Sequence, residues 1–457
     1  RLWKIGSPIA DWHSWRQADT ASVARIYLDE GINLLYPKYY DISVVQTGFY
    51  NPQAWRFVEF PVYSAVHALL AKNITRIPFD TWGRLISAAA SLVSAYFLYL
   101  IGKKLYGKWV GLLASFLFLF IPYNIYFSRV VLPEPMGLMF ALAAIWFFIV
   151  YIKQENKIAL IVSGLSFALA MLIKPFVLVY GIPIAYLAIE KFGTLGIFKK
   201  KMLFLFVDIA LIPFFLWRIW ENMHPTGIPF FDWAFNSDKI RFRPAFWYWI
   251  FGERIGKLIL GVWGMVPFSF GILKTKKKEL FALAFVAGAV LYTFIIATAS
   301  VRHDYYQIWL VPAIALMTAY GAVELWRAEG VSKLIARVLC VFSIGVMLVI
   351  GYVQVKDYYQ INHYEIVEAG KAVERLTPKD AIVIAPYNGD TAFLYQTKRY
   401  GFPIVDRSFD DMTGKLKATH FVTVNWADPD TKYVEEHYKV IEKTGTYMIA
   451  DLTKKLK

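Results

Sequence analysis

The sequence predicts a polytopic α-helical membrane protein with a small α/β domain at its C-terminal end. Hydrophobic residues make up 58% of the 457 positions and charged residues only 18%, below the quarter that is typical of soluble domains. Ten apolar runs have about the length that a helix needs to cross a bilayer. From Glu365 the pattern changes to one clear helix signal followed by short β-type segments.

The apolar runs are bounded by charged residues, and Lys174 with Pro175 separates two of them. The chain begins at Arg1 with no apolar run before its first polar stretch, so one further helix is expected ahead of it, which would give eleven. The ten runs lie approximately at residues 82–102, 109–127, 134–152, 157–173, 176–190, 202–220, 255–273, 280–298, 306–326 and 335–354.

Basic residues alternate between loops, which is how membrane proteins encode their orientation. This placement accounts for the net charge of +15 and argues against nucleic-acid binding. The single cysteine, Cys340, excludes an intramolecular disulfide and gives no support for a zinc cluster. The cytoplasmic clusters are Lys103, Lys104 and Lys108; Lys153 and Lys157; Lys199 to Lys201; Lys274 with Lys276 to Lys278; and Arg327, Lys333 and Arg337.

This orientation divides the chain into three parts and places both ends outside a plasma membrane. Residues 1–80 form a first exoplasmic loop, in which amphipathic stretches such as Ala18 to Leu28 are expected to lie on the membrane surface. Residues 81–355 form the transmembrane domain. Residues 356–457 form an exoplasmic α/β domain with a helix at Ile366 to Leu376 and strands at Ala381 to Ala385, Phe402 to Val405 and His420 to Val424.

Ionisable residues concentrate in the loops assigned to the outer side. The densest group runs from Asp11 to Thr20 and combines two carboxylates, a histidine and an arginine with aromatic residues. A solvated face of an interfacial helix is the alternative explanation. A second group surrounds Glu134 between two prolines at the start of a helix, where ordinary capping would account for it equally well.

A third group, Arg302 to Tyr306, offers cations that could bind a phosphate. Alternatively, its tyrosines anchor the helix at the membrane surface, and Arg302 and His303 belong to a solvated loop. Lys174 is a fourth candidate, unless it only extends its ammonium group to the membrane surface. A base, a second carboxylate and phosphate-binding cations are what transfer from a phospholipid-type donor requires.

The first group lies in segments that resemble a known enzyme class. HSWRQADTASVAR (His13 to Arg25), NLLYP (Asn33 to Pro37) and EFPVY (Glu59 to Tyr63) are similar to membrane glycosyltransferases of the GT-C class. Within it, the sequence resembles the dolichyl-phosphate-mannose protein mannosyltransferase superfamily, which includes the aminoarabinose transferase of lipid A. The resemblance covers roughly residues 11 to 320, and the first loop is its most specific part.

The resemblance implies a polytopic enzyme that moves a sugar from a polyprenyl or dolichyl phosphate carrier to an acceptor hydroxyl on a glycan, lipid or protein, with inversion. Asp19 in the RQAD motif is the expected catalytic base, with Asp11 in reserve. Glu134 matches an acidic residue of the class and would orient the acceptor or bind a divalent ion. No obligatory metal or other cofactor is expected, because the sequence has no HxxxH or paired-carboxylate spacing.

The carrier phosphate needs cations, and here Phe60 precedes Pro61 where the lipid A enzyme has a lysine. The HDYY stretch resembles an outer segment of the class near the carrier phosphate. The expected phosphate-binding residues are Arg16, Arg84, Lys174, Arg302, His303 and Tyr306, and His13 and Glu59 are expected to position the acceptor or the loop.

Two other classes of function remain open. A transporter or flippase of lipid-linked sugar would carry ionisable groups near the bilayer midplane and often inverted repeats, but only Asp208 lies well inside a span. An idle scaffold would use the C-terminal domain to bind a partner. The acidic and histidine residues of that domain are expected to be solvated surface: His363, Asp390, Asp406, Asp410 and Asp411.

Overall fold

A computed structural model of the protein describes residues 1–237, 239–276, 279–329 and 332–456. Lys277 and Lys278 of the predicted fourth basic cluster lie outside the described residues.

The helices follow the apolar runs closely. Short 3₁₀ segments occur at Pro175–Tyr180, Ile197–Lys199, Pro225–Gly227, Ile240–Phe242, Asp304–Leu310 and Lys356–Tyr359, and a π-helix occurs at Tyr248–Ile259. The α-helices are α1 (Ser14–Glu30), α2 (Val62–Asn73), α3 (Phe79–Tyr106), α4 (Lys108–Phe120), α5 (Pro122–Phe127), α6 (Glu134–Gln154), α7 (Lys157–Ile173), α8 (Gly181–Phe192), α9 (Lys201–Asn222), α10 (Trp233–Asn236), α11 (Pro244–Trp247), α12 (Met265–Lys274), α13 (Phe281–Ile295), α14 (Ala297–Arg302), α15 (Val311–Trp326), α16 (Lys333–Val355), α17 (Tyr364–Leu376), α18 (Thr391–Thr397), α19 (Phe409–Gly414) and α20 (Pro429–His437).

Each of the ten predicted spans corresponds to an apolar helix, which confirms a helical polytopic membrane protein. Within the described residues, six helices are long and apolar enough to cross a bilayer, and α4, α7, α12 and α13 are apolar but shorter. The long ones lie in Phe79–Tyr106, Glu134–Gln154, Pro175–Phe192, Lys201–Asn222, Asp304–Trp326 and the segment that begins at Lys333.

The chain divides into two compact units. The helical unit comprises Arg1–Trp3, Arg84–Ile219 and Phe231–Asp357. The α/β unit comprises Lys4–Gly83, Trp220–Phe230 and Tyr358–Lys457. The α/β unit therefore combines most of the predicted first loop with the predicted C-terminal domain.

Close helix contacts in the helical unit depend on glycine. A Cβ at Gly321 in α15 would lie 1.8 Å from the carbonyl oxygen of Pro267 in α12, and one at Gly111 in α4 would lie 2.6 Å from the backbone of α3. Small residues allow such approach between membrane helices, where packing rather than the hydrophobic effect drives association. Helix α15 is almost wholly buried between its neighbours.

The α/β unit contains one five-stranded sheet with the order β2–β1–β3–β5–β4. Strand β1 pairs in parallel with β2 and β3, whereas β5 runs antiparallel to β3 and β4. The two parallel pairings require the crossovers that α18 and α19 provide. The strands are β1 (Val383–Ile384), β2 (Gly401–Phe402), β3 (His420–Thr423), β4 (Tyr438–Lys443) and β5 (Met448–Lys455).

The first loop joins this sheet at the β2 edge. Asp41 forms a parallel bridge with Gly401, and the amide of Ile42 donates to the carbonyl oxygen of Gly401 over 3.0 Å. Ile42 and Ala54 also belong to the same buried cluster as Ile384, in the β1 core. Two segments more than 300 residues apart thus share one hydrophobic core.

The structure differs from the sequence predictions in detail. The amphipathic stretch at Ala18 to Leu28 lies within α1, but this helix is buried on nearly all sides, including Arg16 and Asp19. The alternative that α1 is an interfacial helix with a solvated polar face is therefore wrong. The three predicted strands and the helix that ends at Leu376 are present, whereas the β4–β5 hairpin was not predicted.

Candidate functional site

The first candidate centre surrounds Asp19, which has no exposed surface. Nη2 of Arg56 donates to Oδ2 of Asp19 over 2.7 Å, and Oγ1 of Thr391 donates to Oδ1 over 2.7 Å. Nε2 of Gln46 lies 3.3 Å from both oxygens. Both carboxylate oxygens are therefore engaged, by donors from the first loop and from the C-terminal region.

Arg56 is itself held from several sides. Nη1 donates to Oε1 of Gln46 over 2.6 Å, and the guanidinium lies 4.8 Å from the ring centre of Tyr39. The side chains of Arg56 and Asp19 are only 5% and 0% exposed. A buried pair of this kind is costly to break, because the remaining charge would be left without its partner.

Two further carboxylates lie in the electrostatic field of Asp19. The pKa of Asp41 is raised to about 6, mainly by burial and also by the charge of Asp19, against the lowering effect of hydrogen bonds from Ser43. The pKa of Asp390 is likewise raised to about 6, mainly by burial and also by the charge of Asp19. Three carboxylates with different environments thus form one group, a pattern that is common in active sites.

Asp390 caps α18. Its Oδ1 accepts a hydrogen bond from the amide of Ala392 over 2.7 Å, and its backbone is extended, as at a regular helix start. The sequence treated Asp390 as solvated surface, and this expectation is wrong because the side chain is partly buried among groups from other elements. Asp410, by contrast, is exposed.

The start of α1 is conformationally unusual. His13 precedes the helix in the left-handed region, with φ 55° and ψ 39°. Its ring lies 4.7 Å from that of Trp12, which stacks on Tyr358 at 5.3 Å. Left-handed backbone is uncommon for a residue with a side chain, although His13 shares it with several other residues of this chain. Asp11, the reserve base, is buried and accepts from Nε2 of Gln17 over 2.7 Å.

Arg16 and Glu59, both expected to contribute to the site, form a pair with one another. Nη2 of Arg16 lies 2.9 Å from Oε1 of Glu59, with side chains 4% and 13% exposed. Nη1 of Arg16 also contacts the hydroxyl of Thr20 at 3.2 Å. This pair links the HSWRQAD and EFPVY motifs.

The helical unit carries the remaining predicted residues. Glu134 begins α6 directly after Pro133, and Lys174 follows the end of α7. Nζ of Lys174 lies 3.6 Å from Oε1 of Glu134, and both side chains are buried. If Lys174 only extended its ammonium group to the membrane surface, this contact with Glu134 would not be expected. Arg84 is fully buried in α3.

The third group lies at the end of α14. Arg302 is the last residue of that helix and is exposed, and His303 leaves it in extended conformation. The ring of Tyr306 lies 6.0 Å from that of Phe176, two residues after Lys174. The hydroxyl of Tyr292 donates to the carbonyl oxygen of Tyr306 over 3.0 Å. Tyr306 therefore packs against the segment that directly follows Lys174.

The predicted residues thus fall into two sets, one in each unit. The structure pairs Arg16 with Glu59 and Lys174 with Glu134. The set in the α/β unit is Asp11, His13, Arg16, Asp19 and Glu59, and the set in the helical unit is Arg84, Glu134, Lys174, Arg302, His303 and Tyr306.

Sequence reasoning missed the groups that surround Asp19. Gln46, Arg56 and Asp41 lie in loop segments without motif character, and Thr391 is more than 370 residues from Asp19. The Asp390–Thr391 pair has the form of a helix N-cap, but this signal shows only where a helix starts.

A divalent cation does not suit the Asp19 centre. Three side chains already present N–H or O–H groups to its carboxylate, so a cation would compete with Arg56 for the same oxygens. Among the residues that the structure describes, no group of three or more His, Cys, Asp or Glu side chains could hold a metal ion.

Comparisons with known proteins bear on both units. A family profile described as dolichyl-phosphate-mannose-protein mannosyltransferase matches residues 64–220. The structure of ArnT from Cupriavidus metallidurans bound to undecaprenyl phosphate matches with a TM-score of 0.69 and 10% identity, covering 98% of this chain and 96% of that one. The chain has the GT-C glycosyltransferase fold.

Two more GT-C structures support this assignment. The archaeal oligosaccharyltransferase AglB from Archaeoglobus fulgidus, in complex with an inhibitory peptide and a dolichol-phosphate, matches with a TM-score of 0.58 and 9% identity over 96% of this chain and 70% of AglB. The arabinofuranosyltransferase AftD from Mycobacteria matches with a TM-score of 0.56 and 11% identity over 98% of this chain and 40% of AftD. No curated protein sequence matches the chain. The GT-C resemblance of the sequence is confirmed.

Proposed function

We propose that this GT-C protein is a glycosyltransferase that moves a sugar from a polyprenyl- or dolichyl-phosphate carrier to an acceptor hydroxyl on the outer face of the plasma membrane. The acceptor is a glycan, a lipid or a protein. Two of the similar structures contain undecaprenyl phosphate or dolichol-phosphate, and the matching family is described by a dolichyl-phosphate donor. These descriptions support a lipid-phosphate donor for this chain.

The observation that carries the proposal is that the two charged residues of the RQAD motif are buried and ion-paired. Asp19 and Arg16 are buried charges, each held by an ion pair: Asp19 by Arg56 and Arg16 by Glu59. Removing charges from water is expensive, and replacing such pairs by apolar residues is often neutral or stabilising. Two buried ion pairs in the loop that resembles catalytic loops therefore favour a catalytic role over a purely structural one.

In the proposed reaction the acceptor oxygen attacks the anomeric carbon and forms the new glycosidic bond. The bond between that carbon and the phosphate oxygen breaks, and the lipid phosphate leaves with the bonding electron pair. The proton of the acceptor hydroxyl passes to a carboxylate of the Asp19 centre. Attack opposite the leaving group inverts the anomeric configuration.

The cationic residues of the helical unit fit the needs of the leaving phosphate. Fixed positive charges stabilise the charge that develops on the phosphate oxygens without reorganisation during the reaction. Lys174 and Arg302 are proposed to serve this purpose, with His303 and Tyr306 as further hydrogen-bonding groups. Glu134 holds the ammonium of Lys174 in place through the 3.6 Å pair.

The test uses the purified full chain in detergent, with dolichyl-phosphate mannose and undecaprenyl-phosphate aminoarabinose as donor probes and a crude envelope fraction as acceptor. We expect a new glycosidic product, together with released lipid phosphate. Asp19→Asn removes the negative charge of this centre and should lower the rate by about 10²-fold, the lower end of the range seen when acid–base catalysis is disturbed. Asp410→Asn, at an exposed position, should leave it unchanged.

Two outcomes would contradict parts of the proposal. No product from either donor, with net movement of the donor across reconstituted vesicles, would favour a transporter instead. If Asp19→Asn were fully active and Asp11→Asn were inactive, the essential carboxylate would be Asp11 and not Asp19.

A further inference from the structure

The C-terminal region contributes directly to the environment of Asp19. Helix α18 begins with Thr391, whose hydroxyl donates to Oδ1 of Asp19 over 2.7 Å and lies 3.4 Å from the carbonyl oxygen of Trp15. Thr391 is only 5% exposed. The residue before it, Asp390, is a carboxylate at the same turn.

The two carboxylates differ in what they can still bind. Both oxygens of Asp19 receive donors, one of them a guanidinium, so a new proton would have to displace an existing contact. Asp390 uses Oδ1 to cap α18. Within the part of the chain that the structure describes, no hydrogen bond engages its Oδ2. Asp390 therefore keeps one oxygen without a hydrogen bond from any described residue, whereas both oxygens of Asp19 already accept hydrogen bonds.

The surroundings of Asp390 set its basicity. Three elements place ionisable groups around Asp390. Helix α1 contributes Asp19 and, just before its start, His13. The start of α17 contributes His363 and Glu365, and the turn after β1 contributes Tyr387. The pKa of Asp390 is raised to about 6: burial is the largest influence, Asp19 adds to it, and the hydrogen bond from Ala392 and the two histidines act in the opposite direction. A base is most effective when its pKa lies near the working pH.

We propose that Asp390 is the carboxylate that accepts the proton of the attacking hydroxyl, and that Asp19 and Thr391 are positioning residues that hold and electrostatically tune this turn. This assignment rests on the glycosyltransferase function proposed above. The O–H bond of the acceptor breaks, its electron pair forms the bond to the anomeric carbon, and the proton remains on Oδ2 of Asp390 until it is released to water. The C-terminal region is then part of the active site.

Asp390→Asn tests the assignment cleanly. Asparagine caps helices as well as aspartate does, so the fold of α18 should be preserved while the base is lost. Asp428→Asn is the matched control, because Asp428 caps α20 in the same region by accepting from the amide of Asp430 over 3.0 Å. We expect transfer from the active donor probe to fall by about 10²–10⁴-fold in Asp390→Asn and to stay within about threefold of wild type in Asp428→Asn.

The pH dependence of kcat/KM separates the two carboxylates. A base must be deprotonated, so the wild-type rate should rise with pH through about 6, the value at which Asp390 titrates. This limb should be absent in Asp390→Asn. In Asp19→Asn the neighbouring negative charge is gone, so the limb should persist but move to lower pH. If Asp19 were the base, its removal would abolish the limb instead.

Thr391 provides a second test that spares the charges. Thr391→Ser keeps the hydroxyl and should retain most of the activity, whereas Thr391→Val removes it and should lower kcat more than it changes KM. Full activity and an unchanged pH limb in Asp390→Asn would overturn the assignment while leaving the proposed function intact. Absence of transfer in the wild type would instead refute the proposed function itself.

Discussion

Removal of the Arg56 side-chain charge tests the buried pair at the centre of the α/β unit. In Arg56→Met the carboxylate of Asp19 remains, with no exposed surface and without the guanidinium that lies 2.7 Å away. Breaking a buried pair by removing one partner costs about 3–5 kcal/mol, because an uncompensated charge is left behind. The contacts to Gln46 and Tyr39 are lost as well.

The exposed pair of Arg375 and Glu442 is the matched control. Its atoms are 2.9 Å apart, but the side chains are 64% and 31% exposed, so Arg375→Met should cost less than about 1 kcal/mol. The free energy of unfolding would be measured on the full chain in detergent by denaturant titration, with pulse proteolysis reporting cleavage within residues 4–83. Adding Asp19→Asn to Arg56→Met should recover part of the loss. Equal costs for the two arginine substitutions would refute the reasoning.

Three further predictions concern titration and packing. Between pH 4 and about 6, Asp41 in the folded protein keeps a proton that it releases in the unfolded chain, so the free energy of unfolding falls as the pH rises through this window. In denaturant titrations, the free energy of unfolding of Asp41→Asn should therefore exceed that of the wild type by roughly 2–3 kcal/mol at pH 7.5, with no such difference at pH 4. Gly401→Ala places a Cβ 1.8 Å from a neighbouring strand carbonyl and should unfold the α/β unit at lower temperature, whereas Gly414→Ala, with open space around its Cβ, should not. Gly321→Ala should likewise lower the thermal stability of the helical unit in detergent, and Gly345→Ala should leave it unchanged. Equal melting temperatures within either glycine pair would contradict the packing described.

Much of the fold could be predicted because its signals are local. Each apolar run becomes a helix, since in a bilayer the backbone must satisfy its hydrogen bonds within the segment. The β4–β5 hairpin was missed because its strands carry many charges on the exposed face, as in Lys439 and Lys443. Union of the first loop with the C-terminal region depends on long-range contacts such as Ile42 with Gly401, which no local pattern encodes.

The candidate site shows the same division. Motif resemblance selected Asp19 and Glu134 as candidates, because these residues lie in recognisable local sequences. It did not locate Arg56 or Thr391, because their importance comes from where the fold places them relative to Asp19. Asp390 was judged by its residue type alone, and only the structure shows the burial and the neighbouring Asp19 that raise its pKa.

The most direct test of the account is the product of a reaction between the purified chain, a polyprenyl-phosphate sugar and an acceptor. Mass spectrometry and NMR of the product would identify the new bond and its anomeric configuration. The account predicts an inverted glycosidic linkage, stoichiometric release of lipid phosphate, and loss of both in Asp390→Asn but not in Asp428→Asn. A retained anomeric configuration, or lipid movement without any new glycosidic bond, would contradict it.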